Sequence, residues 1–268
     1  MGTGRRYRGI KMSEAVSIYK NVITGSIPPT PISLDVDAEL FTDCDETLLS
    51  IAGSIGQPIG YQQEQRGSLV QNIFPIQRTE TMQISSSSKV ELGLHTETAF
   101  HPYKPDIVAL LCVRGDPTGI TTIAEVRDVV SKLDSYLIDE LCKPNFTTSL
   151  DPSFMLEGQQ DATIPISVLR NHDDEWHLTY DETLVIGKTK EANHALIHLK
   201  AAIRDSIVDY ILDTGDLMLI NNNMAVHGRK PFVARYDGTD RWLKRVLIRT
   251  SITPSNQIEG NVITTKFY

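Results

Sequence analysis

Apolar side chains recur at helical spacing in three stretches of this 268-residue chain. In the first, at 42–55, leucine and alanine positions repeat every three or four residues, and Gly56 is placed to end the helix. The second, at 126–141, has valine and leucine on one face and aspartate elsewhere. The third, at 190–205, follows the i, i+3, i+4, i+7 pattern, so we expect a helix that covers a sheet.

Shorter runs, rich in β-branched or aromatic residues and bounded by glycine, proline or serine, predict β-strands. They lie at 68–76, 90–95, 106–113, 217–220 and 242–252, and a tight turn at 221–223 leads into a further strand that carries His227. The last run alternates between two faces. One face carries Val246 and Ile248, and the other carries Arg241, Leu243, Arg245 and Leu247. The pattern as a whole predicts a mainly β protein with flanking helices.

The organisation of the chain predicts a single domain over residues 1–268. An all-β fold of this length need not divide, and an apolar content of 40% is enough for one large core. Residues 1–31 are expected to be peripheral, because they end in a proline-rich stretch that cannot continue a helix. We place the folded core at about 42–252 and interpret the serines at 85–88 as a loop at the mouth of a barrel.

Charge and composition exclude several classes of function. A formal net charge of −8 and a pI near 5.4 argue against a nucleic-acid surface, which concentrates Lys and Arg to neutralise phosphates. No segment reaches the roughly 20 apolar residues of a membrane helix. The cysteines are widely spaced without a CxxC pair, so we expect free thiols and a cytoplasmic location. A small molecule is therefore the favoured partner, while the oligomeric state is left open.

Two histidines and one glutamate form a candidate metal site. Alternate side chains of a β-strand share a face, so His95 and Glu97 point the same way and Thr96 points away. With His227 from far downstream, they would occupy one face of an octahedral metal and leave three positions free, as in non-haem iron sites that bind a co-substrate and O2. A histidine after an apolar strand is more often a hydrogen-bonded core residue, so the prediction depends on the combination.

Two arginines near the C-terminus extend this constellation. Arg241 and Arg245 share a strand face with leucines, which indicates that they point inward. A buried guanidinium needs an anionic partner, and a bound carboxylate supplies one through two parallel hydrogen bonds. Taken singly, each arginine would be interpreted as a surface or salt-bridge residue, and the shared face with the leucines is what favours an interior position. The remaining histidines are interpreted as structural or solvated, although His194 and His198 lie four apart on a predicted helix and could bind a stray metal.

Several ordered segments carry a family resemblance. LGLHTE at 92–97, FHPYKPD at 100–106 and LLCVRGDP at 110–117 resemble clavaminate synthase and its relatives, the arginine and asparagine hydroxylases of antibiotic biosynthesis. GDLMLINNN at 215–223, HGRKPF at 227–232 and DRWLKR at 240–245 are similar to the second metal-ligand and arginine block of the same family. The wider class, which includes taurine dioxygenase, usually has Asp at the position of Glu97, so Glu97 favours the clavaminate synthase branch.

The resemblance implies a double-stranded β-helix, a jelly-roll or cupin-like core, with an Fe(II) and 2-oxoglutarate site. His95, Glu97 and His227 would be the iron ligands, and Arg241 would hold the far carboxylate of 2-oxoglutarate. A threonine near Gly119 should help to bind this co-substrate; Thr121 fits the spacing best and Thr122 is the alternative.

The resemblance also implies the reaction and its substrate. Oxidation by O2, coupled to decarboxylation of 2-oxoglutarate, would attack an unactivated C–H bond of a free L-amino acid, proteinogenic or non-proteinogenic, in specialised-metabolite biosynthesis. Hydroxylation is the commonest outcome, and desaturation or oxidative ring closure such as cyclopropanation are others. Arg245 would hold the substrate carboxylate and Glu97 would face its α-amino group. Asp181 is the candidate for side-chain recognition, although it fits a loop turn equally well, and Gln71 and Ser85 are weaker candidates for the head group.

Three alternatives stay open at this point. A zinc hydrolase could use two histidines and a glutamate with water in the fourth position, but it would not require the two arginines. A taurine dioxygenase-like enzyme would keep the iron and act on a sulfonate or another small acid. A jelly-roll binding protein without catalysis is disfavoured, because the metal ligands and the co-substrate arginine are all present.

Overall fold

The structure is a computed structural model that describes residues 14–33, 42–151, 154 and 163–265. The helices in this part are α1 (Thr42–Ile55), α2 (Val126–Val130), α3 (Ser135–Leu141) and α4 (Lys190–Arg204), with short 3-10 turns at Gln65–Gly67 and Gln77–Thr79. The strands are β1 (Val16–Tyr19), β2 (Gln57–Tyr61), β3 (Gln71–Ile73), β4 (Leu92–His95), β5 (Ile107–Arg114), β6 (Thr121–Glu125), β7 (Phe146–Ser149), β8 (Thr163–Ile166), β9 (Leu169–His172), β10 (Glu175–Leu178), β11 (Val185–Gly187), β12 (Val208–Tyr210), β13 (Leu217–Asn221), β14 (Ala225–Arg229), β15 (Trp242–Arg249), β16 (Ile258–Glu259) and β17 (Val262–Ile263).

Two sheets form the core of the molecule. The major sheet has the order β1-β13-β5-β15-β2-β17-β16, with β3 also paired to β15, and the minor sheet has the order β12-β6-β14-β4. Apart from the parallel pair of β17 and β2, the strand pairs of these two sheets are antiparallel. A three-stranded sheet, β11-β7-β8, and the hairpin of β9 and β10 complete the described strands. The result is the predicted mainly β jelly-roll with flanking helices.

The layers follow from the alternation of side chains along the central strands. On β5, Val108 and Leu110 pack into the space between the two sheets, whereas Ala109 and Leu111 pack against α1. The outer face of the minor sheet is covered in the same way by α4, whose apolar stripe meets residues such as Val226. The two faces predicted for the last strand are confirmed, because its leucines point between the sheets while Val246 and Ile248 face α1.

Three predictions need correction. The stretch at 126–141 is two helices, because the Asp134 side chain accepts a hydrogen bond from Leu137 N and starts a new helix there. The strand predicted at 68–76 is only Gln71–Ile73. Residues 14–30 are not peripheral, since β1 pairs along its length with β13 and the Thr30 hydroxyl donates to Asp240 O at 2.5 Å.

Other boundaries agree more closely with expectation. The helices at 42–55 and 190–205 are confirmed, the latter ending one residue early with Asp205 as its cap. The last strands lie beyond the expected core limit at 252. Residues 1–13 of the expected peripheral segment lie outside the described residues. The cysteines form no disulfide, as expected. No described helix has both the length and the apolar character needed to cross a membrane.

One glycine allows two strands of the minor sheet to approach closely. A Cβ atom on Gly228 of β14 would lie 2.6 Å from Leu92 O on β4 and 3.0 Å from Thr122 Oγ1 on β6. Only a residue without a side chain fits between these neighbours. Gly228 therefore allows β14 to lie close to β4 and β6 beside His227.

We expect Gly228→Ala to destabilise the protein by about 1–3 kcal/mol, because the added methyl group meets rigid backbone. The matched control is Gly53→Ala on α1, where an added Cβ atom meets nothing within 4 Å. That change should stabilise the protein by about 0.5–1 kcal/mol through helix propensity. Urea unfolding measures both variants, and equal effects of the two substitutions would contradict this account of Gly228.

Candidate metal centre and active site

The two histidines lie opposite each other on neighbouring strands of the minor sheet. His95, the last residue of β4, is the register partner of His227 on β14, and their ring centroids are 4.4 Å apart. The Nδ1 atom of His95 lies 2.8 Å from Gly93 O and donates a hydrogen bond to it, which orients the ring so that Nε2 is the atom available to a metal. The strand register thus brings both rings to one point.

Glu97 reaches the same point from just beyond the strand. The strand predicted at 90–95 does end at His95, so the alternation of strand side chains that was used to pair Glu97 with His95 does not extend to Glu97. Thr96 does turn away, as expected, and its hydroxyl donates to Tyr180 O at 3.2 Å. The Oε2 atom of Glu97 lies 3.7 Å from His227 Nε2. One ligand atom from each of His95, Glu97 and His227 lies within 4.8 Å of the others, and among the described residues this is the single such group.

The electrostatics of these groups suit a divalent cation. Burial acts to raise the pKa of the Glu97 carboxyl, but the Arg245 guanidinium and the His227 ring outweigh it and hold that pKa below its usual range. Burial and the neighbouring His95 lower the pKa of His227. Glu97 is therefore held as an ionised carboxylate and His227 as a neutral imidazole, which are the protonation states that a metal requires of such ligands. These residues fit an iron ion, and their three donor atoms leave the cavity side of it open.

A cavity of about 510 Å³ opens in front of these residues, between the two sheets. At one end lies Arg241, which is 6% exposed and donates to Thr121 Oγ1 at 2.9 Å. Burial lowers the pKa of Arg241, and no described carboxylate forms an ion pair with it. Gly119 lies against it, so close that a Cβ atom there would be 2.5 Å from Arg241 Cδ. A buried guanidinium needs an anion, and the described residues do not supply one to Arg241.

The structure distinguishes the two candidate threonines. Thr121 lines the cavity with Arg241. Thr122 is fully buried on the opposite face of β6, and its hydroxyl has no hydrogen-bond partner. The geometry therefore favours Thr121 over Thr122, because adjacent residues of a strand point to opposite faces.

Arg245 lies deeper in the cavity wall and is paired within the protein. Its NH1 atom donates to Glu97 Oε2 at 2.7 Å, and its NH2 atom donates to Glu64 Oε1 at 2.5 Å. Its Nε atom donates to Gln71 Oε1 at 2.7 Å. Burial acts to lower the pKa of Arg245, but the two carboxylates raise it above its usual range. Unlike Arg241, Arg245 already has anionic partners.

Glu64 was missed by the sequence reasoning, because it stands in a glutamine-rich loop after β2 with no pattern to mark it. It lines the cavity, and its Oε2 atom is buried without a hydrogen-bond partner. Gln71, by contrast, was predicted to bind a substrate head group, but the structure places it outside the cavity lining. Its buried amide contacts Arg245 through Oε1, so it orients that arginine.

The remaining predicted residues, Asp181 and Ser85, both line the cavity. The backbone of Asp181 bridges to His95. Its Oδ1 atom accepts hydrogen bonds from the Thr183 N–H at 2.8 Å and hydroxyl at 2.7 Å and from Leu184 N at 3.0 Å. Asp181 therefore closes a local turn with one oxygen, and it forms no ion pair with a described cation.

The other histidines do not join the site. His101 is buried beside Tyr61, with ring centroids 4.7 Å apart, and burial and Arg249 lower its pKa to about 3. His194 and His198 are exposed on α4 with their Nε2 atoms 3.1 Å apart. They do not line the cavity, and it stays a prediction that they could bind a stray metal ion.

Comparison with known proteins agrees with this geometry. The model of the family described as "Taurine catabolism dioxygenase TauD, TfdA family" matches residues 36–247. The chain is 36% identical over 232 residues to an L-asparagine oxygenase of Streptomyces coelicolor, covering 85% of this chain and 68% of the relative. It is 34% identical over 249 residues to an L-lysine 3-hydroxylase of Catenulispora acidiphila, covering 90% of this chain and 70% of the relative.

A solved structure extends the comparison to the cofactors. The non-heme iron oxygenase OrfP, in complex with Fe and alpha-ketoglutaric acid, superimposes with a TM-score of 0.84 at 28% sequence identity. The match covers 94% of this chain and 81% of that one. These oxygenases share the fold, and the zinc hydrolase alternative finds no support among them.

We expect the wild-type protein to bind a single tight equivalent of Co(II), used as a stable substitute for Fe(II). His95→Ala should weaken this binding by more than about 100-fold, because loss of a ligand exceeds the 10–100-fold effect of an outer partner. The control is the double change His194→Ala and His198→Ala, which should leave the affinity unchanged. Calorimetric titration measures each affinity, and tight binding by His95→Ala would place the metal elsewhere.

Proposed function

This chain belongs to the TauD/TfdA dioxygenase family, and on that premise we propose that it oxidises an unactivated C–H bond of a free L-amino acid. It is a non-haem dioxygenase that uses Fe(II), 2-oxoglutarate and O2. One observation carries the proposal: a buried arginine without a described anionic partner lies in the same cavity as two histidines and a glutamate at metal-binding distance. Iron supplies the capacity to reduce O2 while the co-substrate is decarboxylated.

We assign the anionic end of the co-substrate to Arg241. A carboxylate docked there receives charge-assisted hydrogen bonds in a site from which water is excluded, so the contact is strong. Thr121 fixes the guanidinium through its hydroxyl, and Gly119 leaves space for it. In this arrangement His95, Glu97 and His227 would hold the iron near the other end of the 2-oxoglutarate molecule.

We assign the amino-acid head group to Arg245, Glu64 and Glu97. Arg245 offers a guanidinium to the substrate carboxylate, while Glu64 and Glu97 offer negative charge to its ammonium. The buried, unpartnered Oε2 atom of Glu64 supports this assignment, because it lacks the donor that an ammonium would provide. The site as a whole is complementary to a zwitterion.

The substrate side chain extends toward Asp181 in this proposal. The local turn occupies Oδ1 of Asp181, and among the described residues no cation forms an ion pair with this carboxylate. A side chain that ends in N–H donors, above all a cationic one, is therefore favoured, and the reported relatives act on asparagine and lysine. The same charge disfavours a sulfonate or a second acid at this end, so the taurine-like alternative is the weaker one.

Hydroxylation is the reaction that we propose, and the setting is specialised metabolism. The printed names of the two relatives describe oxygenation and hydroxylation of free amino acids. Desaturation or ring closure would arise from the same attack on a C–H bond. The walls of the cavity serve these reactions by holding one carbon near the metal and excluding others.

Paired variants on β6 test the co-substrate assignment. Thr121→Ala should raise the KM for 2-oxoglutarate about tenfold, because a hydrogen bond to a charged group is worth roughly 1.5 kcal/mol or more. Thr122→Ala, on the other face of the strand, should stay within about twofold of wild type. Arg241→Ala should abolish the visible charge-transfer band of the anaerobic Fe(II) and 2-oxoglutarate complex. A band retained by Arg241→Ala, or equal effects of the two threonine changes, would contradict the assignment.

Succinate formation stimulated by added substrate tests the function itself. Among L-lysine, L-arginine, L-asparagine and taurine, we expect the basic amino acids to stimulate it most and taurine least. Product mass distinguishes the outcomes, since hydroxylation adds one oxygen and desaturation removes two hydrogens. Stimulation by taurine alone would favour the small-acid alternative.

Asp181→Asn isolates the charge at the distal end. The amide oxygen can keep the hydrogen bonds that close the turn, so the change removes charge with little change of shape. The preference for lysine over asparagine should fall about tenfold, which corresponds to roughly 1.5 kcal/mol for a contact to a charged group. An unchanged preference would show that Asp181 only closes its turn.

A further inference from the structure

Glu97 lies beyond the end of its strand, yet its backbone is fully held. Its N–H donates to Asn222 Oδ1 at 2.7 Å, and its carbonyl accepts from Asn222 Nδ2 at 3.1 Å. Asn222 has no solvent exposure. One amide side chain thus gives Glu97 the same pair of hydrogen bonds that a neighbouring strand would give.

The hydrogen bonds from the Asn222 side chain matter because the sheet does not supply Glu97 with a neighbouring strand. β4 ends at His95, and its pairing with β14 ends there too, at the pair of His95 and His227, so no strand pair reaches Glu97. Without Asn222, the backbone N–H and C=O of Glu97 would be buried and unpaired, a state that folded proteins avoid. The segment that carries the carboxylate ligand would lose its anchor.

Asn222 is itself anchored from several directions. Its Nδ2 atom also donates to Pro105 O at 2.9 Å, and its backbone N–H donates to Asp106 O at 2.8 Å. The Lys104 ammonium reaches the same turn, with Nζ 2.6 Å from Asn223 Oδ1 and 3.4 Å from Asn222 O. The residue is therefore fixed to the segment before β5 as well as to Glu97.

The position of Asn222 in the chain links the metal ligands. It lies in the turn between β13 and β14, and β14 carries His227. The strand that bears His227 is paired with the strand that bears His95. A displacement of this turn therefore moves Glu97 and one histidine together.

We propose that Asn222 is a positioning residue of the metal centre, which sets the place of the Glu97 carboxylate by clamping its backbone. The inference rests on the proposed function only for the identity of the metal, because the clamp should serve any divalent cation held by His95, Glu97 and His227. It acts through Glu97 and does not touch the metal.

The test compares Asn222→Ala with Asn223→Ala by calorimetric titration of the full-length apo chain with Co(II). Asn223 belongs to the same turn and contacts Lys104 and Asp106, but it does not contact Glu97. We expect Asn222→Ala to weaken Co(II) binding about 10–100-fold, the usual effect of removing a partner that orients a ligand. Asn223→Ala should stay within about twofold of wild type, although both variants lose side-chain hydrogen bonds of the same turn.

Asn222→Asp provides a second variant in case Asn222→Ala does not fold. The aspartate keeps an acceptor for the Glu97 N–H but loses both donated bonds, and its added negative charge alone would strengthen cation binding. Weaker Co(II) binding by Asn222→Asp therefore supports the clamp. Urea unfolding of each apo variant separates a loss of global stability from a loss of metal affinity.

Two results would overturn the inference. Wild-type affinity in Asn222→Ala, or tighter than wild-type affinity in Asn222→Asp, would show that Glu97 needs no clamp. Equal losses in Asn222→Ala and Asn223→Ala would assign the effect to the turn in general. Failure of the proposed function has a different signature. In that case no amino acid stimulates succinate formation by the wild type, while the ranking of Co(II) affinities is unaffected.

Discussion

Burial of charge between two sheets is the constraint around which this molecule is arranged. Arg241, Arg245 and Glu97 lie where water cannot solvate them, so each needs a partner of opposite charge or a set of hydrogen bonds. Arg245 and Glu97 pair with each other, whereas Arg241 pairs with no described carboxylate. Helices cover the outer faces of both sheets, so the walls that present these groups are rigid. Arg245 and Glu97 therefore balance each other without a ligand, whereas Arg241 needs an anion from outside the described residues.

Much of this arrangement could be predicted from the chain. Periodicity located α1 and α4, since an amphipathic helix of several turns carries a strong repeated signal. Alternation along β15 placed Leu243 between the sheets, because a strand that is buried on both faces keeps a fixed register. The residue types of His95, Glu97 and His227 indicated one metal group, and the structure brings them together. These inferences needed only local geometry and the chemistry of the side chains.

The rest depended on contacts that no local pattern encodes. β1 gains its place through pairing with β13, about two hundred residues away, so its sequence looked peripheral. The apolar positions at 126–141 continue across the break between α2 and α3, which the capping side chain of Asp134 imposes. Periodicity alone therefore did not show the break. Glu64 and Asn222 matter because of what lies next to them in space, and an acidic loop residue or an asparagine in a turn is ordinary in any sequence. Gln71 had the right type but stands behind Arg245.

The contact between Glu64 and Arg245 has a consequence for which molecules can compete for this cavity. A carboxylate that takes the place of Glu64 on Arg245 leaves the Glu64 carboxylate buried and without a cation, unless the incoming molecule brings an ammonium for it. An amino acid meets that condition and a plain dicarboxylate does not. Under the assignments proposed above, the guanidinium of Arg245 is thereby closed to 2-oxoglutarate, so the co-substrate could be abundant without inhibiting the enzyme from the substrate end. Glu64, the counter-ion already present at Arg245, would thus keep 2-oxoglutarate out of the site proposed for the carboxylate of the amino acid.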